Sequence, residues 1–105
     1  MQTTISVRHC EIPEGLRERA ITVGERLGKA TPRSMDMTVL FDTDGTAATA
    51  ELRLHVSGGE ILIAKGEGPD HRTALDRAEG KLRRQVQRAS ERPRGVRASQ
   101  SKNPL

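Results

Sequence analysis

Aromatic residues are almost absent from this sequence, in which Phe41 is the only Phe, Tyr or Trp among 105 residues. Without Trp or Tyr there is no platform on which the bases of a single-stranded nucleic acid could stack. This argues against single-strand recognition of the RNA-recognition-motif or OB type and leaves recognition of phosphates and shape. The core must be aliphatic, so we expect a small domain of moderate stability.

Cysteine is equally scarce, since Cys10 is the only one. An internal disulfide is therefore impossible, and a reducing compartment is the expected setting. No apolar run approaches the roughly 18 residues of a membrane span, and the first residues lack the basic and apolar segments of a signal peptide. These observations predict a cytoplasmic protein with no membrane partner.

Residue sets that would support catalysis or bind a metal are also missing. The three histidines are scattered, and the adjacent pair His9-Cys10 has no further ligand at metal spacing. Gly66-Glu67-Gly68 lacks the lysine of a phosphate-binding loop and is interpreted as a connection between elements. No candidate base has an orienting partner. The prediction is a protein that is not an enzyme and has no metal, cofactor or small-molecule substrate.

Positive charge is present but unevenly distributed. The chain has a formal net charge of +4, yet residues 1–69 hold 8 basic and 10 acidic side chains. Residues 70–105 hold 10 basic and 4 acidic side chains. Such a concentration of cations in one third of a chain is typical of a surface that binds a polyanion.

Hydrophobic periodicity predicts one α+β domain with the element order β-α-β-β-β-α. The four-stranded sheet is expected to carry both helices on one face and to leave its other face partly open. Pro13 and Pro32 bound the first helix, while Asp70 is a good N-cap for the last. The predicted strands are residues 2–8, 35–42 and 50–56 and a fourth that begins with 61–64, joined by turns at Asp42-Thr43-Asp44-Gly45 and Gly58-Gly59. Residues 1–92 form the predicted domain, and 93–105 a disordered basic tail.

Within these elements the apolar positions predict the buried faces. Met35 is expected to point inward with the other apolar residues of the second strand, whereas Leu40 and Leu62 are expected to point outward. An outward apolar surface on the open sheet face would suit a stress-linked adaptor that binds another protein. The expected core positions of the two helices are Leu16, Ala20, Val23 and Leu27, and Leu75, Ala78, Leu82, Val86 and Ala89.

The last helix carries the feature that favours a function. Arg77, Lys81, Arg84 and Arg88 follow one another at helical spacing, within roughly 60° of arc at about 100° per residue. This cationic row lies opposite the apolar stripe, and like charges so spaced repel one another. An anionic partner would relieve that repulsion, although a solvated helix face is the plainer interpretation and an acidic membrane surface a weaker one.

Several segments resemble the ribosome hibernation-promoting factor family, which includes ribosome-associated inhibitor A. The most specific stretch is residues 54–85, and the similarity covers roughly residues 2–91. It rests on these motifs: Leu54-His55-Val56-Ser57-Gly58-Gly59-Glu60-Ile61, Glu67-Gly68-Pro69-Asp70, Ala74-Leu75-Asp76, Lys81-Leu82-Arg83-Arg84-Gln85, and Ile12-Pro13-Glu14-Gly15-Leu16-Arg17-Glu18.

The resemblance implies a fold like the double-stranded-RNA-binding domain and binding to the small ribosomal subunit in the channel for messenger and transfer RNA. There the family blocks translation and preserves idle ribosomes under stress. A divergent module that binds other structured RNA by shape remains the alternative. The implied RNA-binding residues are Arg17, Arg26 and Lys29 of the first helix and Lys81, Arg84 and Arg88 of the second, to which the cationic row adds Arg77.

The sequence also departs from the family pattern. Arg72 stands where members often have an aromatic residue, and Val23 stands where a first-helix lysine is common. The loss of that lysine predicts that the last helix carries more of the binding than is usual. The chain stops before the second domain of long members, so we expect a short-type member that is monomeric off the ribosome.

Overall fold

A computed structural model describes the backbone of residues 1–91 and the side chains of residues 1–88. Within this part, one four-stranded sheet and two helices occur in the predicted order β-α-β-β-β-α. The elements are β1 (Gln2–Val7), α1 (Glu14–Ala30), β2 (Ser34–Asp44), β3 (Ala47–Val56), β4 (Glu60–Gly68) and α2 (His71–Glu91). The predicted tail 93–105 and the side chain of Ala89 lie outside the described residues.

The strands lie in the sheet in chain order, β1-β2-β3-β4. β1 pairs with β2 in parallel because α1 crosses over between them. The other neighbours are antiparallel, and β3 and β4 pair from Ala48 opposite Gly68 to Val56 opposite Glu60 without a shift in register. β4 is therefore a long, regular strand at one edge of the sheet.

Both helices cover the same sheet face, where the aliphatic core lies. The predicted helix positions that the structure describes are buried, including Val23 and Leu82, which are both fully enclosed. On the sheet, alternate residues of β2 and β3 point into this core, and Phe41 is the largest of them. The other face carries no helix from the described part of the chain, which confirms the predicted architecture. No helix in that part is long and apolar enough to cross a membrane.

Two predicted side-chain directions are wrong. Met35 is 59% exposed because it is the extra residue of a bulge, where Ser34 and Asp36 oppose consecutive residues of β3. Leu62 does not point outward, since it packs against the core from a position opposite buried Leu54. The outward apolar residues of β4 are its neighbours Ile61 and Ile63.

Loop boundaries also differ from the prediction. The first hairpin is tighter than expected, because β2 continues to Asp44 and only Gly45 and Thr46 form the turn. The second hairpin has the three-residue loop 57–59, in which Gly58 and Gly59 adopt φ values of +99° and +88° that favour glycine. Gly66-Glu67-Gly68 is part of β4 and is not a connection.

Candidate nucleic-acid interface

The start of α2 is defined by its cap. Asp70 Oδ1 accepts a hydrogen bond of 2.7 Å from the backbone N–H of Thr73, as expected of an N-cap residue. This bond favours the charged carboxylate and therefore lowers the pKa of Asp70 below its usual value of 3.8. The cap fixes where the helix begins, and with it the side of α2 on which each later residue lies.

The position of α2 depends on glycine in β4. A Cβ atom added to Gly66 would collide with the carbonyl oxygen of Ala74 and lie 2.6 Å from the backbone nitrogen of Ala78. The backbones of β4 and α2 therefore approach more closely than any other residue would allow. This approach places one flank of α2 directly over the outer edge of β4.

The cationic row, Arg77, Lys81, Arg84 and Arg88, lies along that flank with all four side chains exposed. Arg77 Nη1 donates a hydrogen bond of 2.7 Å to the carbonyl oxygen of Glu67, and Lys81 Nζ donates one of 2.8 Å to that of Lys65. Carbonyl groups are neutral, so both side chains keep their charge and further donors. Arg84 and Arg88 make no hydrogen bond or ion pair with any described residue. The row therefore has no carboxylate partner within the described part.

The opposite flank of α2 faces α1 and contains two acids that pair with arginines. Glu79 has a side chain only 8% exposed and accepts hydrogen bonds from Arg26 of α1 and Arg83 of α2, at 3.0 and 2.7 Å. Arg19 of α1 donates two bonds to Asp76 Oδ1, at 2.8 and 3.1 Å. Among the described residues, Arg19, Arg26 and Arg83 are thus paired with acids, whereas the cations over the β4 edge are not.

The seven predicted RNA-binding residues do not form one patch. Arg26 is engaged by Glu79 across the helix interface, and Arg17, which lies about 180° from it around α1 at about 100° per residue, contacts Glu14 at 4.0 Å. Lys29 is exposed near the end of α1 and makes no ion pair within the described residues. The four residues of α2 do lie together, so they are the strongest candidates on geometric grounds.

The structure shows Val23 to be a core residue. Because its side chain is fully buried under α1, it fills the core and leaves no gap in an exposed charged surface. That α2 carries more of the binding than α1 stays a prediction. The observation that favours α2 as the main RNA-binding element is its cationic row, which no described carboxylate neutralises.

Gln85 belongs to this surface but was missed in the sequence. Gln85 Nε2 donates a hydrogen bond of 2.8 Å to the carbonyl oxygen of Ile63, so it continues the contacts made by Arg77 and Lys81. Lys65 contributes only its carbonyl oxygen here, since its side chain is exposed on the open sheet face. The spacing of Gln85, four residues after Lys81, was visible in the sequence, but its partner strand was not.

Other polar clusters are small. His9 Nδ1 lies 3.0 Å from Asp42 Oδ1, and this hydrogen bond lowers the pKa of Asp42 below 3.8. His71 Nε2 lies 2.8 Å from the carbonyl oxygen of the same residue, with its ring edge-on to Phe41. In the described part of the chain, no three His, Cys, Asp or Glu side chains converge as metal ligands would.

Comparison with known proteins agrees with the fold and with the predicted family. Residues 3–94 match the model of the Sigma 54 modulation protein / S30EA ribosomal protein family, and the chain belongs to this family. The ribosome hibernation promoting factor of Salmonella typhimurium is 35% identical over 88 residues, covering 84% of this chain and 92% of that protein. The factor of the same name from Azotobacter vinelandii is 30% identical over 108 residues, covering 99% and 100%.

Solved structures show the same architecture. A ribosomal subunit interface protein from Coxiella burnetii superposes with a TM-score of 0.73 at 17% identity, covering 88% of this chain and all of that one. The N-terminal domain of Thermus thermophilus Protein Y gives a TM-score of 0.69 at 26% identity, with coverages of 82% and 94%. The first likeness concerns the fold alone, and the second accompanies recognisable sequence similarity.

Proposed function

We propose that this chain is a ribosome hibernation factor that binds ribosomal RNA of the small subunit and silences translation. The observation that carries the proposal is the cationic row of α2, four exposed side chains with no carboxylate partner among the described residues. The names of the relatives, ribosome hibernation promoting factor at 30–35% identity over most of both chains, support it. The factor acts in the cytoplasm, where ribosomes are.

The mode of binding is contact with phosphates. Arginine and lysine side chains bind phosphate oxygens through charge-assisted hydrogen bonds, and such contacts position a protein without reading bases. With Phe41 buried in the core, the described surface offers no Phe, Tyr or Trp ring on which a base could stack. Recognition in this proposal therefore depends on the shape of folded ribosomal RNA and the fit of α2 to it.

Inhibition in this proposal is steric and requires no catalysis, metal or cofactor. A domain bound in the channel of the small subunit excludes messenger and transfer RNA from the space that they share. The principal contacts are made by the cationic row, Arg77, Lys81, Arg84 and Arg88. The positive electrostatic field is extended by three cations of α1, Arg17, Arg26 and Lys29. Off the ribosome the protein is monomeric.

Sedimentation with isolated subunits tests the proposal. The protein should travel with the small subunit and not with the large one at low salt, and should dissociate as salt rises. Prior loading of the small subunit with messenger and transfer RNA should block binding. Absence from the small-subunit fraction at low salt would refute the proposal. Equal competition by a generic RNA duplex would indicate instead a general duplex-binding module.

A further inference from the structure

The outer edge of β4 is a potential site of association between chains. β4 is nine residues long, pairs with β3 without a bulge, and has no strand of the described chain on its other side. An unprotected edge of this length presents a row of N–H and C=O groups to which another strand can add. Proteins therefore cover or interrupt such edges.

Three side chains of α2 cover this edge, and we name Arg77, Lys81 and Gln85 the edge cover. They donate hydrogen bonds of 2.7, 2.8 and 2.8 Å to the carbonyl oxygens of Glu67, Lys65 and Ile63 respectively. The two periodicities match, because four helical residues rise about 6 Å and two strand residues about 6.6–6.8 Å. Each fourth residue of α2 thus meets each second carbonyl of β4, over most of the strand.

The side chains along this edge of β4 would be complementary in charge to those of a second β4 strand. Lys65 and Glu67 are exposed on the open sheet face, next to Ile63 and Ile61, which are 48% and 49% exposed. If two β4 strands paired antiparallel about Gly66, Lys65 of each copy would lie opposite Glu67 of the other. Opposite charges in directly facing positions stabilise antiparallel pairs, and the twofold arrangement would form this contact twice.

We propose that β4 is a self-pairing surface for a second copy of this chain, and that Arg77, Lys81 and Gln85 hold it closed. Arg77 and Lys81 occupy the carbonyl groups of Glu67 and Lys65, which the other strand would need as acceptors, and Gln85 extends the cover to Ile63. They also place two cations beside the position of an incoming strand. The edge cover is thus the feature that keeps two copies apart, independently of any contact with RNA.

The proposal can be tested with two variants of equal charge. Arg77→Ala with Lys81→Ala removes two cations and two carbonyl contacts, whereas Arg84→Ala with Arg88→Ala removes two cations and no carbonyl contact. In sedimentation velocity at increasing protein concentration, the first variant should form a dimer while the second and the unmodified chain stay monomeric. Adding Lys65→Glu to the first variant should abolish the dimer, because the introduced carboxylate would then face Glu67 of the other copy.

Two further variants keep the test decisive if the double variant fails to fold. Lys81→Gln loses the charge but keeps an amide donor of the type that reaches a carbonyl at Gln85, so it should stay monomeric. Lys81→Ala frees the carbonyl oxygen of Lys65, which would accept a hydrogen bond from the Glu67 N–H of the other copy, and should dimerise at high concentration. A folded Lys81→Ala variant that stays monomeric at high concentration, or a dimer in the unmodified chain, would overturn the proposal.

Discussion

At the scale of single residues, four cations of similar appearance in the sequence have different surroundings in the structure. Arg77 and Lys81 each use one donor on a carbonyl oxygen of β4, while Arg84 and Arg88 have no partner within the described residues. A side chain without a partner loses no internal contact when it binds a phosphate. Arg84 and Arg88 should therefore contribute to RNA binding without contributing to stability.

This difference gives the first prediction. Arg84→Gln with Arg88→Gln should weaken binding to the small subunit by roughly tenfold or more per arginine, since a hydrogen bond to a charged group contributes about 1.5–3 kcal/mol. The free energy of unfolding should change by less than about 0.5 kcal/mol, as for other surface substitutions. Binding titrations and chemical denaturation measure the two quantities. Unchanged affinity would remove both arginines from the interface.

Asp70 carries a prediction about pH. Its pKa is lowered by the Thr73 N–H, so its charge stabilises the folded chain above the ordinary value of 3.8, and this contribution disappears as the pH falls through the folded-state pKa. Asp70→Asn keeps a capping oxygen but cannot titrate. Melting temperatures should favour Asp70 at neutral pH and converge with those of the variant in acid. A difference independent of pH would contradict this account of the cap.

At the scale of elements, the contact between α2 and β4 depends on Gly66. Gly66→Ala should destabilise the fold by about 1–3 kcal/mol, because the added methyl meets backbone atoms that cannot move aside. Gly15→Ala in the first turn of α1 is the matched control, since nothing lies within 4 Å of its added methyl. The control should be neutral or stabilising by up to about 1 kcal/mol. Equal effects in denaturant melts would show that the close approach is unimportant.

The contact between the two helices makes Arg26 a structural residue as well as a candidate for RNA binding. Arg26→Gln should lower the free energy of unfolding by about 1–3 kcal/mol, because buried Glu79 loses one of its two arginine partners. Lys29→Gln, which removes from the same helix a cation with no ion pair among the described residues, should leave stability unchanged. Denaturant unfolding of both variants provides the measurement. A stability loss for Lys29→Gln equal to that for Arg26→Gln would contradict the assignment.

Local patterns predicted the elements well, because alternation and helical spacing reflect which face is buried. The Asp70 cap and the cationic row were likewise visible, since both depend on residues close together in the chain. Met35 was assigned wrongly because a bulge shifts the alternation by one residue. Leu62 was assigned wrongly because residues 61–64 are all apolar, so their alternation does not show which side is buried. The edge cover could not be predicted, since it depends on which strand lies beneath α2.

At the scale of the whole molecule, charge divides the surface of α2. On the side that faces α1, Asp76 and Glu79 pair with arginines, whereas on the side that faces β4 the described contacts of the cations are with neutral carbonyl groups. Within the described part of α2, the cations without a carboxylate partner therefore lie mainly along the flank over β4. This arrangement concentrates the field where a polyanion could approach without disturbing the core.

The salt dependence of binding to the small subunit tests the central claim most directly. If the cationic row binds phosphates, the logarithm of the affinity should fall linearly with the logarithm of the salt concentration. Arg84→Gln with Arg88→Gln should reduce the slope by about 1.4–1.8, since each phosphate contact contributes roughly 0.7–0.9. An affinity that does not depend on salt, or a slope that both substitutions leave unchanged, would contradict binding through these phosphate contacts.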